Sequence, residues 1–522
     1  MSRRLPVLLL LAVVALAGLG RPVAAHANAQ LQFSIMMDDD QLLYRGDAVR
    51  DAAMRRMKAL GVDDVRVSVL WSVVAQNAKY DKHGKRRKSF KADDPRTYPK
   101  GNWDRYDRLV RAGKTLGLGV YMNVTGPGPR WAMGKAPRSQ RKYQRTWEPK
   151  SREFFKFVKA VGKRYDGTYK DENDAGQVLP RVSFWSIYNE PNQPGWLTPQ
   201  YKGSTPWSPV MYRDLWYSGR TALDATGHKD DIVLIGETAP LGSKAHNPPS
   251  PIYPKRFIRE FFCVDSRNRP YTGSAAKRRH CDTLKRISPL HYTAWGHHPY
   301  TKTLPPTKRD SNRDSITIAN IAELPALLDA IAVKRPGTLQ AASYVALTEF
   351  GYETNPPDPF SGFSLAKQAE WINVADYIAY KEPRVIANTQ FLLRDVAGLK
   401  KYPKKSKKHW FTYQSGLYFA NGKPKPSAVA YRMPLVFTGK SGGATNLWGW
   451  LRFLPTGTAV SVQMQFKPAG TTAFGNVGDP VPIDPIGFFT ASEPLTAPGT
   501  WRAMFVETIS GTTITSREVP VS

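Results

Sequence analysis

An α/β chain is what the sequence predicts: a closed (β/α)8 barrel followed by a small all-β sandwich. Three observations carry this. Eight apolar, β-branched runs recur over about 400 residues, separated by polar loops and mostly by amphipathic stretches. After Pro434 the texture changes to period-two alternation broken by Pro and Gly turns. The length, 522 residues with 41% hydrophobic side chains, is too great for one ordinary domain and suits one large and one small domain.

The elements follow in chain order. Arg3 and Arg4 precede an apolar run from Leu5 to about Leu19, and then come Ala25-His26-Ala27 and Ala27-Asn28-Ala29. A basic start, a short apolar core and small residues form the layout of a secretory leader, so residues 1–29 are read as one and export as its consequence. No later stretch is long and apolar enough to span a membrane. Residues 30–434 form the predicted barrel. Its strands are expected at Leu31–Met37, Val65–Trp71, Leu118–Val124, Val182–Tyr188, Ile232–Gly236, Tyr292–Gly296, Tyr344–Thr348 and Asn388–Leu393. Helical spacing is read at Ala52–Leu60, Tyr106–Leu116, Phe154–Tyr165, Met211–Leu223, Ile316–Ile331 and Ala366–Ala379. An open doubly wound sheet would want fewer strands and a glycine-rich first turn, which is not seen. Residues 435–522 alternate as strands, with Val460, Val462, Met464 and Phe466 on one face, and are similar to the immunoglobulin-like or fibronectin-like modules appended to secreted hydrolases. Trp448 and Trp450 in this module suit either a binding platform or a domain interface.

The two cysteines, Cys263 and Cys281, both fall in the exported part and are expected to pair across a polar loop. No second Cys pair or spaced His pair accompanies them, so neither a metal nor a cofactor is expected. The formal charge is +32. Such a field attracts polyanions, and for an exported chain these are acidic or wall-associated polysaccharides or lipid headgroups rather than nucleic acid. A monomer, secreted and associated with a cell wall, is the expected state.

Cleaving a glycosidic bond needs one carboxylic acid to protonate the leaving oxygen and a second carboxylate to attack the anomeric carbon. In a barrel both belong at the C-terminal ends of strands. Glu190 closes the fourth run and Glu349 the seventh. Here Asn189-Glu190-Pro191 and Thr348-Glu349-Phe350-Gly351 resemble the pair that marks the clan of retaining (β/α)8 glycoside hydrolases, which includes the family 5 and family 39 enzymes. Further landmarks match in order: Val65-Arg66-Val67-Ser68-Val69-Leu70-Trp71, Gly128-Pro129-Arg130-Trp131-Ala132, His297-His298-Pro299-Tyr300, and Gly416-Leu417-Tyr418 with the following Asn421-Gly422-Lys423-Pro424. The resemblance covers about Leu31 to Arg432.

It implies a poly- or oligosaccharide substrate and a double displacement, with Glu190 as acid/base and Glu349 as nucleophile. Asn189 matches the group that bonds the sugar 2-hydroxyl. Arg66 and Tyr300 match groups that hold Glu349 oriented and ionised, a neighbouring guanidinium favouring the anion. Either His297 or His298 faces the pocket, with His298 taken as the substrate contact. Trp131, like Trp71, is a sugar platform or loop packing. Glu237, after the fifth run, binds substrate hydroxyls or pairs with a basic side chain. The clan's tryptophan after the eighth strand is missing, and Gln390 is expected to hydrogen-bond in its place. The basic residues gather in three loops after strands two, three and eight, from Lys79 to Lys100, Arg130 to Arg152 and Lys400 to Lys408. In a barrel all three open onto the catalytic face, which suits an anionic glycan. A glycan-binding protein with a dead barrel and a transglycosylase using the same covalent intermediate are the alternative functions.

Overall fold

A computed structural model describes residues 32–454, 460–507 and 511–522. The expected leader at residues 1–29 lies outside the described residues. Eight parallel strands close into a barrel: β1 (Phe33–Met37), β2 (Asp64–Leu70), β3 (Gly119–Thr125), β4 (Phe184–Ile187), β5 (Ile232–Thr238), β6 (Ala294–His297), β7 (Tyr344–Phe350) and β8 (Val385–Phe391). Closure is the pairing of β1 with β8, in which Phe33 faces Ala387 and Met37 faces Phe391. Each expected run contains one of these strands or most of it, because the β-branched residues that pack under the helices are the ones that mark the runs.

The outer ring includes α1 (Asp47–Ala59), α2 (Asp104–Leu116), α3 (Ser151–Arg164), α4 (Ser208–Asp224), α5 (Pro254–Phe261), α6 (Glu323–Lys334), α7 (Leu365–Lys381) and α8 (Pro426–Arg432). The expected helix at Ile316–Ile331 starts later, at Glu323. Pro325 has no N–H to give and is tolerated only in a first turn, so Ile318–Asn320 forms a separate 3-10 turn, capped by Thr317. α5 was not foreseen.

Side-chain alternation sorts the barrel. On β2, Val65, Val67 and Val69 point outward into the main core, and Arg66 and Ser68 point inward. Inside, Ile35, Tyr121, Phe184, Leu234, Ala294, Ala346 and Ala387 form one apolar layer, a residue from each of seven strands. Toward the C-terminal ends of the strands the lumen turns polar, with Arg66, Asn123, Ser186 and Glu237 all buried.

Three register shifts interrupt the pairing of the barrel strands, one between Val385 and Ala387 of β8 and two that shape the site. Leu347 faces Asn388 and Phe350 faces Gln390, so β7 has two residues, Thr348 and Glu349, where β8 has only Thr389. Ile235 faces Trp295 and Thr238 faces His297, so β5 has Gly236 and Glu237 opposite Gly296 alone. An extra residue re-aims the side chain that follows it. Ala346 and Leu234 point into the lumen, so plain alternation would turn Glu349 and Glu237 outward; the bulges turn both in.

The remaining chain forms two antiparallel sheets. The first is β9 (Leu435–Ser441), β10 (Ala444–Trp450) and β13 (Phe488–Glu493); the second holds β11 (Ser461–Pro468), β12 (Gly475–Pro482), β14 (Gly499–Val506), β15 (Thr513–Thr515) and β16 (Val519–Val521). Leu447 and Phe489 of the first sheet pack with Met464, Phe466 and Trp501 of the second, making a sandwich. Trp448 and Trp450 are buried against Tyr377 and Tyr380 of α7, so they serve the interface with the barrel. Arg452 locks that interface, pairing with Asp376 at 2.7 Å and bonding Ser34 Oγ at 3.0 Å. Cys263 and Cys281 form a disulfide. Among the described residues no helix is long and apolar enough to cross a membrane.

Candidate active site

The chain leaves β4 by an abrupt reversal. Tyr188 and Glu190 adopt positive φ, 70° and 37°, and Glu237 on β5 does so at 48°. This region is costly for residues with a Cβ and persists only where surrounding contacts enforce it. The contacts are visible: Asn123 donates to the Tyr188 carbonyl at 3.1 Å, the Asn189 N–H donates to Thr125 Oγ1 at 2.9 Å, and the Glu190 N–H donates to the Glu237 carbonyl at 2.9 Å.

Arg66 sits at the centre, fully buried. Its Nη1 donates to Glu349 Oε1 at 2.9 Å, and its Nη2 donates to Glu237 Oε2 at 2.8 Å and to Asn189 Oδ1 at 2.9 Å. His298, also fully buried, is the second hub. Its Nδ1 lies 2.9 Å from Glu190 Oε1 and 3.6 Å from Glu349 Oε2, and its Nε2 lies 3.0 Å from Glu237 Oε2. Tyr300 donates to Glu349 Oε2 at 3.3 Å, and the Tyr121 hydroxyl donates to Glu237 Oε1. One oxygen of Glu190, one of Glu349 and one His298 nitrogen lie within 4.8 Å of one another. The Glu190 and Glu349 side chains keep 20% and 11% of their surface open, whereas Glu237 keeps none.

The electrostatics separate the three carboxylates. Burial pushes Glu349 up, against the pull of His298 and Arg66 and with the charges of Glu190 and Glu237 adding to the rise. Arg66 and Tyr300 were expected to hold Glu349 oriented and ionised; both bond it and Arg66 does pull it down, but one guanidinium is shared with Glu237, and desolvation outweighs it. Burial would also raise Glu237, yet Arg66, then His298 and Tyr121, hold it down to about 2. Burial opposes charge on His298, but Glu349, Glu190 and Glu237 raise it to about 10. Both of its ring nitrogens then carry hydrogens, and neither offers the lone pair a metal needs. By donor type Glu190, His298 and Glu349 could hold an ion.

Of the residues singled out in the sequence, Arg66, Asn189, Glu190, Glu237, His298, Tyr300 and Glu349 come together here. Of the two roles left open for Glu237, the structure has the pairing with a basic side chain: it is a buried partner of Arg66 and His298, and each of its oxygens already accepts hydrogen bonds. His297 faces away, bonded to Thr238 and the Ile316 carbonyl and pushed down to about 3 by burial. Trp71 is fully buried, stacked on Phe157, and Trp131 packs edge-on against Trp71 and Phe90 with Lys79 over its face. Both act as loop packing. Gln390 does not reach the site; its amide donates to the backbone carbonyls of Leu392 and Ser415.

The residue at the mouth end of β8 is instead Phe391, edge-on to Tyr300 at 6.2 Å and to Tyr413 at 5.1 Å. Tyr413 is 55% exposed and Phe411, beside it, 84%. Tyr413 is near enough to the pair that burial first, then the charges of Glu349 and Glu190, push its hydroxyl up. Tyr121, Phe391, Phe411 and Tyr413 were missed. The inward position of Tyr121 on β3 was available from alternation; the other three sit at or beyond a strand end, where no periodicity points.

No protein-family model and no curated protein sequence matches the chain. Among solved structures it is similar to a family 39 glycoside hydrolase from Bacteroides cellulosilyticus WH2, at 13% identity over 90% of this chain and 80% of that one, with a TM-score of 0.47. It is also similar to GH5_18 from Streptomyces cattleya in complex with GlcNAc, at 15% identity over 77% of this chain and 78% of that one, TM-score 0.46. A glucosidase from Croceicoccus marinus shares 13% identity over 96% of this chain and 93% of that one, TM-score 0.47. At such identities and scores these likenesses leave the function to be read from the residues at the barrel mouth.

Proposed function

We propose that this chain is a retaining glycoside hydrolase that cleaves O-glycosidic bonds of a secreted enzyme's poly- or oligosaccharide substrate, with Glu349 as nucleophile and Glu190 as acid/base. The observation that carries the reading is the proximity of two partly open carboxylates, oxygen to oxygen within 4.8 Å, at the C-terminal end of a parallel barrel. Retaining enzymes hold their pair about 5–5.5 Å apart, and inverting ones about 6.5–9.5 Å, to admit a water between.

The hydrogen bonds divide the work. Arg66 occupies Glu349 Oε1, leaving Oε2, with the long Tyr300 bond, to attack the anomeric carbon. His298 occupies Glu190 Oε1, leaving Oε2 to pass a proton to the departing oxygen. The C–O bond to the leaving group breaks as the Glu349 ester forms. Glu190 then takes a proton from water, whose oxygen displaces Glu349 and completes hydrolysis. Asn189 gives its Oδ1 to Arg66, so its amide N–H group is the end able to bond a sugar hydroxyl.

The rim supports an acidic or wall-associated glycan as substrate. Lys82, Lys85, Arg86 and Lys88, then Arg130, Lys135, Arg138, Arg141 and Lys142, then Lys400, Lys401, Lys404, Lys405, Lys407 and Lys408 are all exposed on loops following β2, β3 and β8. Opposite charge at a cleft mouth concentrates substrate and makes capture depend on salt.

A panel of neutral and uronate-containing glycans tests both readings. Hydrolysis with retained configuration, lost in Glu349→Ala and restored in Glu190→Ala by azide as a retained glycosyl azide, is the expected result. Binding without turnover on every glycan would favour a binding protein, and product elongation at high acceptor concentration would favour a transglycosylase. Activity on neutral and anionic glycans with the same salt dependence would remove the anionic assignment and leave the mechanism standing.

A further inference from the structure

The third carboxylate has no role in that mechanism. Glu237 is fully buried, out of reach of any substrate, and is nonetheless bonded to both hubs, Arg66 at 2.8 Å and His298 at 3.0 Å. The bulge and the positive φ turn Glu237 into the lumen, where it reaches His298 as well as Arg66. The cluster holds two cations, Arg66 and His298, against three carboxylates, Glu190, Glu237 and Glu349. It is neutral when one proton is shared by Glu190 and Glu349, which is the state a retaining pair needs at the start of its cycle. With Glu237 uncharged, the same two cations would balance the open pair with no proton left on it, or His298 would give up its own.

We infer that Glu237 is a positioning residue whose buried charge fixes how many protons the site holds, keeping His298 cationic and one proton on the Glu190–Glu349 pair. The inference rests on the proposed glycosidase reading. Other groups that face the cluster do not supply this charge. His297 on β6 is neutral, held by Thr238 and a backbone carbonyl. The hydroxyls of Tyr121 on β3, Tyr212 on α4, Tyr300 and Tyr413 are all pushed up by burial and stay protonated. Asp39, after β1, accepts the Ser68 N–H at 3.1 Å and is pushed up to about 6 by burial. Arg66 and Glu349 both act on it, so it is a further carboxylate beside the cluster, and the same residue stands there in wild type and in a variant at Glu237.

The test is the pH dependence of kcat/KM in wild type, Glu237→Gln and Glu237→Asp, with His298 followed by 15N NMR of histidine-labelled protein. With nine histidines in the chain, a His298→Asn spectrum assigns the signal. In wild type His298 stays protonated above pH 8, a measurement that needs no folded variant and no substrate; titration near the ordinary value of about 6.5 would overturn the inference. In Glu237→Gln either the alkaline limb of the profile moves down by about one pH unit or more, or His298 becomes neutral between pH 7 and 8. Loss of the proton from the pair also makes alkyl glycosides, whose leaving oxygen needs protonation, suffer more than dinitrophenyl glycosides. Glu237→Asp, which keeps the charge, is expected to hold the proton. An unmoved profile together with an unmoved His298 in a folded Glu237→Gln, or an Asp variant indistinguishable from the Gln variant, would sink the idea. A wild type inactive on every glycoside would defeat the proposed function instead, and the NMR titration would still judge Glu237.

Discussion

Among the described residues, Arg66 and Arg164 are each buried against several carboxylates, and the two clusters are built to opposite ends. Around Arg164, at the end of α3, one guanidinium meets Asp107 in a two-point pair at 2.8 Å, Asp171 at 3.3 Å and Glu172 at 3.0 Å. Tyr165 donates to Asp107 at 2.9 Å, and the guanidinium lies 5.3 Å from the Trp103 ring centre. Asp107 and Asp171 are closed off from solvent, and each is bound to a group that stays where it is. Around Arg66 the guanidinium splits between two carboxylates instead of clasping one, and its Nε is left without a partner. A histidine makes up the missing charge, and two carboxylates keep an open edge. A closed, paired cluster ties elements together. A divided cluster with open edges has charge left to move, and proton chemistry needs charge that moves.

Removing one carboxylate from each cluster should separate the two roles most strongly. Glu349→Ala is expected to lower kcat/KM on the order of 10⁴-fold or more. Its melting temperature should hold or rise, because burial already penalises that charge. Asp107→Ala strands Arg164 without its two-point partner and is expected to cost about 3–5 kcal/mol of stability, with activity per folded molecule unchanged. Denaturant unfolding alongside initial rates reads both; an Asp107 variant that is stable but slow would erase the distinction.

The fold was legible because both of its periodicities are written in apolar residues. On β2, Val65, Val67 and Val69 alternate with Arg66 and Ser68, and that pattern alone places the arginine inside. Glu190 and Glu349 were legible as strand-end carboxylates within recognisable motifs. What could not be read were the bulges. An extra residue at Gly236-Glu237 exists only relative to β6, and one at Thr348-Glu349 only relative to β8, so no single strand's pattern reveals it. That is why substrate contact and an ion pair both stayed open for Glu237. Adjacent His297 and His298 could not be told apart for the same reason: their facing depends on pairing. α5 escaped because eight residues hold barely two turns of pattern.

A second contrast is in pH. His298 has its folded value raised to about 10 from an ordinary 6.5, so its stabilising contribution is full below about 6.5 and is lost as pH rises through about 10. Glu237 runs the other way: held down to about 2, it contributes above the ordinary carboxylate range and is lost as pH falls through about 2. In the Arg164 cluster burial pushes the Asp107 carboxyl up, against the pull of Arg164 and Tyr165. Thermal midpoints of wild type should therefore fall across the alkaline window more steeply than those of His298→Asn, while Asp107→Asn keeps the wild-type slope there. Equal slopes for all three would mean that His298 is not the charged member of its cluster.

The smallest expected effect is on the open side itself. Phe411 is 84% exposed and Tyr413 55%, both on the loop after β8, and an aromatic face left in water beside two open carboxylates suits stacking against a sugar ring. Removing such a contact forfeits about 1 kcal/mol of binding, a roughly fivefold rise in KM. Phe411→Ala should show that rise with kcat within about twofold. Tyr413→Ala should lower kcat as well, because its ring supports Phe391, which in turn packs on Tyr300. Val178, 48% exposed and near the Arg164 cluster through its carbonyl's bond to Arg111, provides the matched control: Val178→Ala should change neither constant. If Phe411→Ala behaves like Val178→Ala on every glycan, the exposed ring is surface, and the open edge of the Arg66 cluster ends at Tyr413.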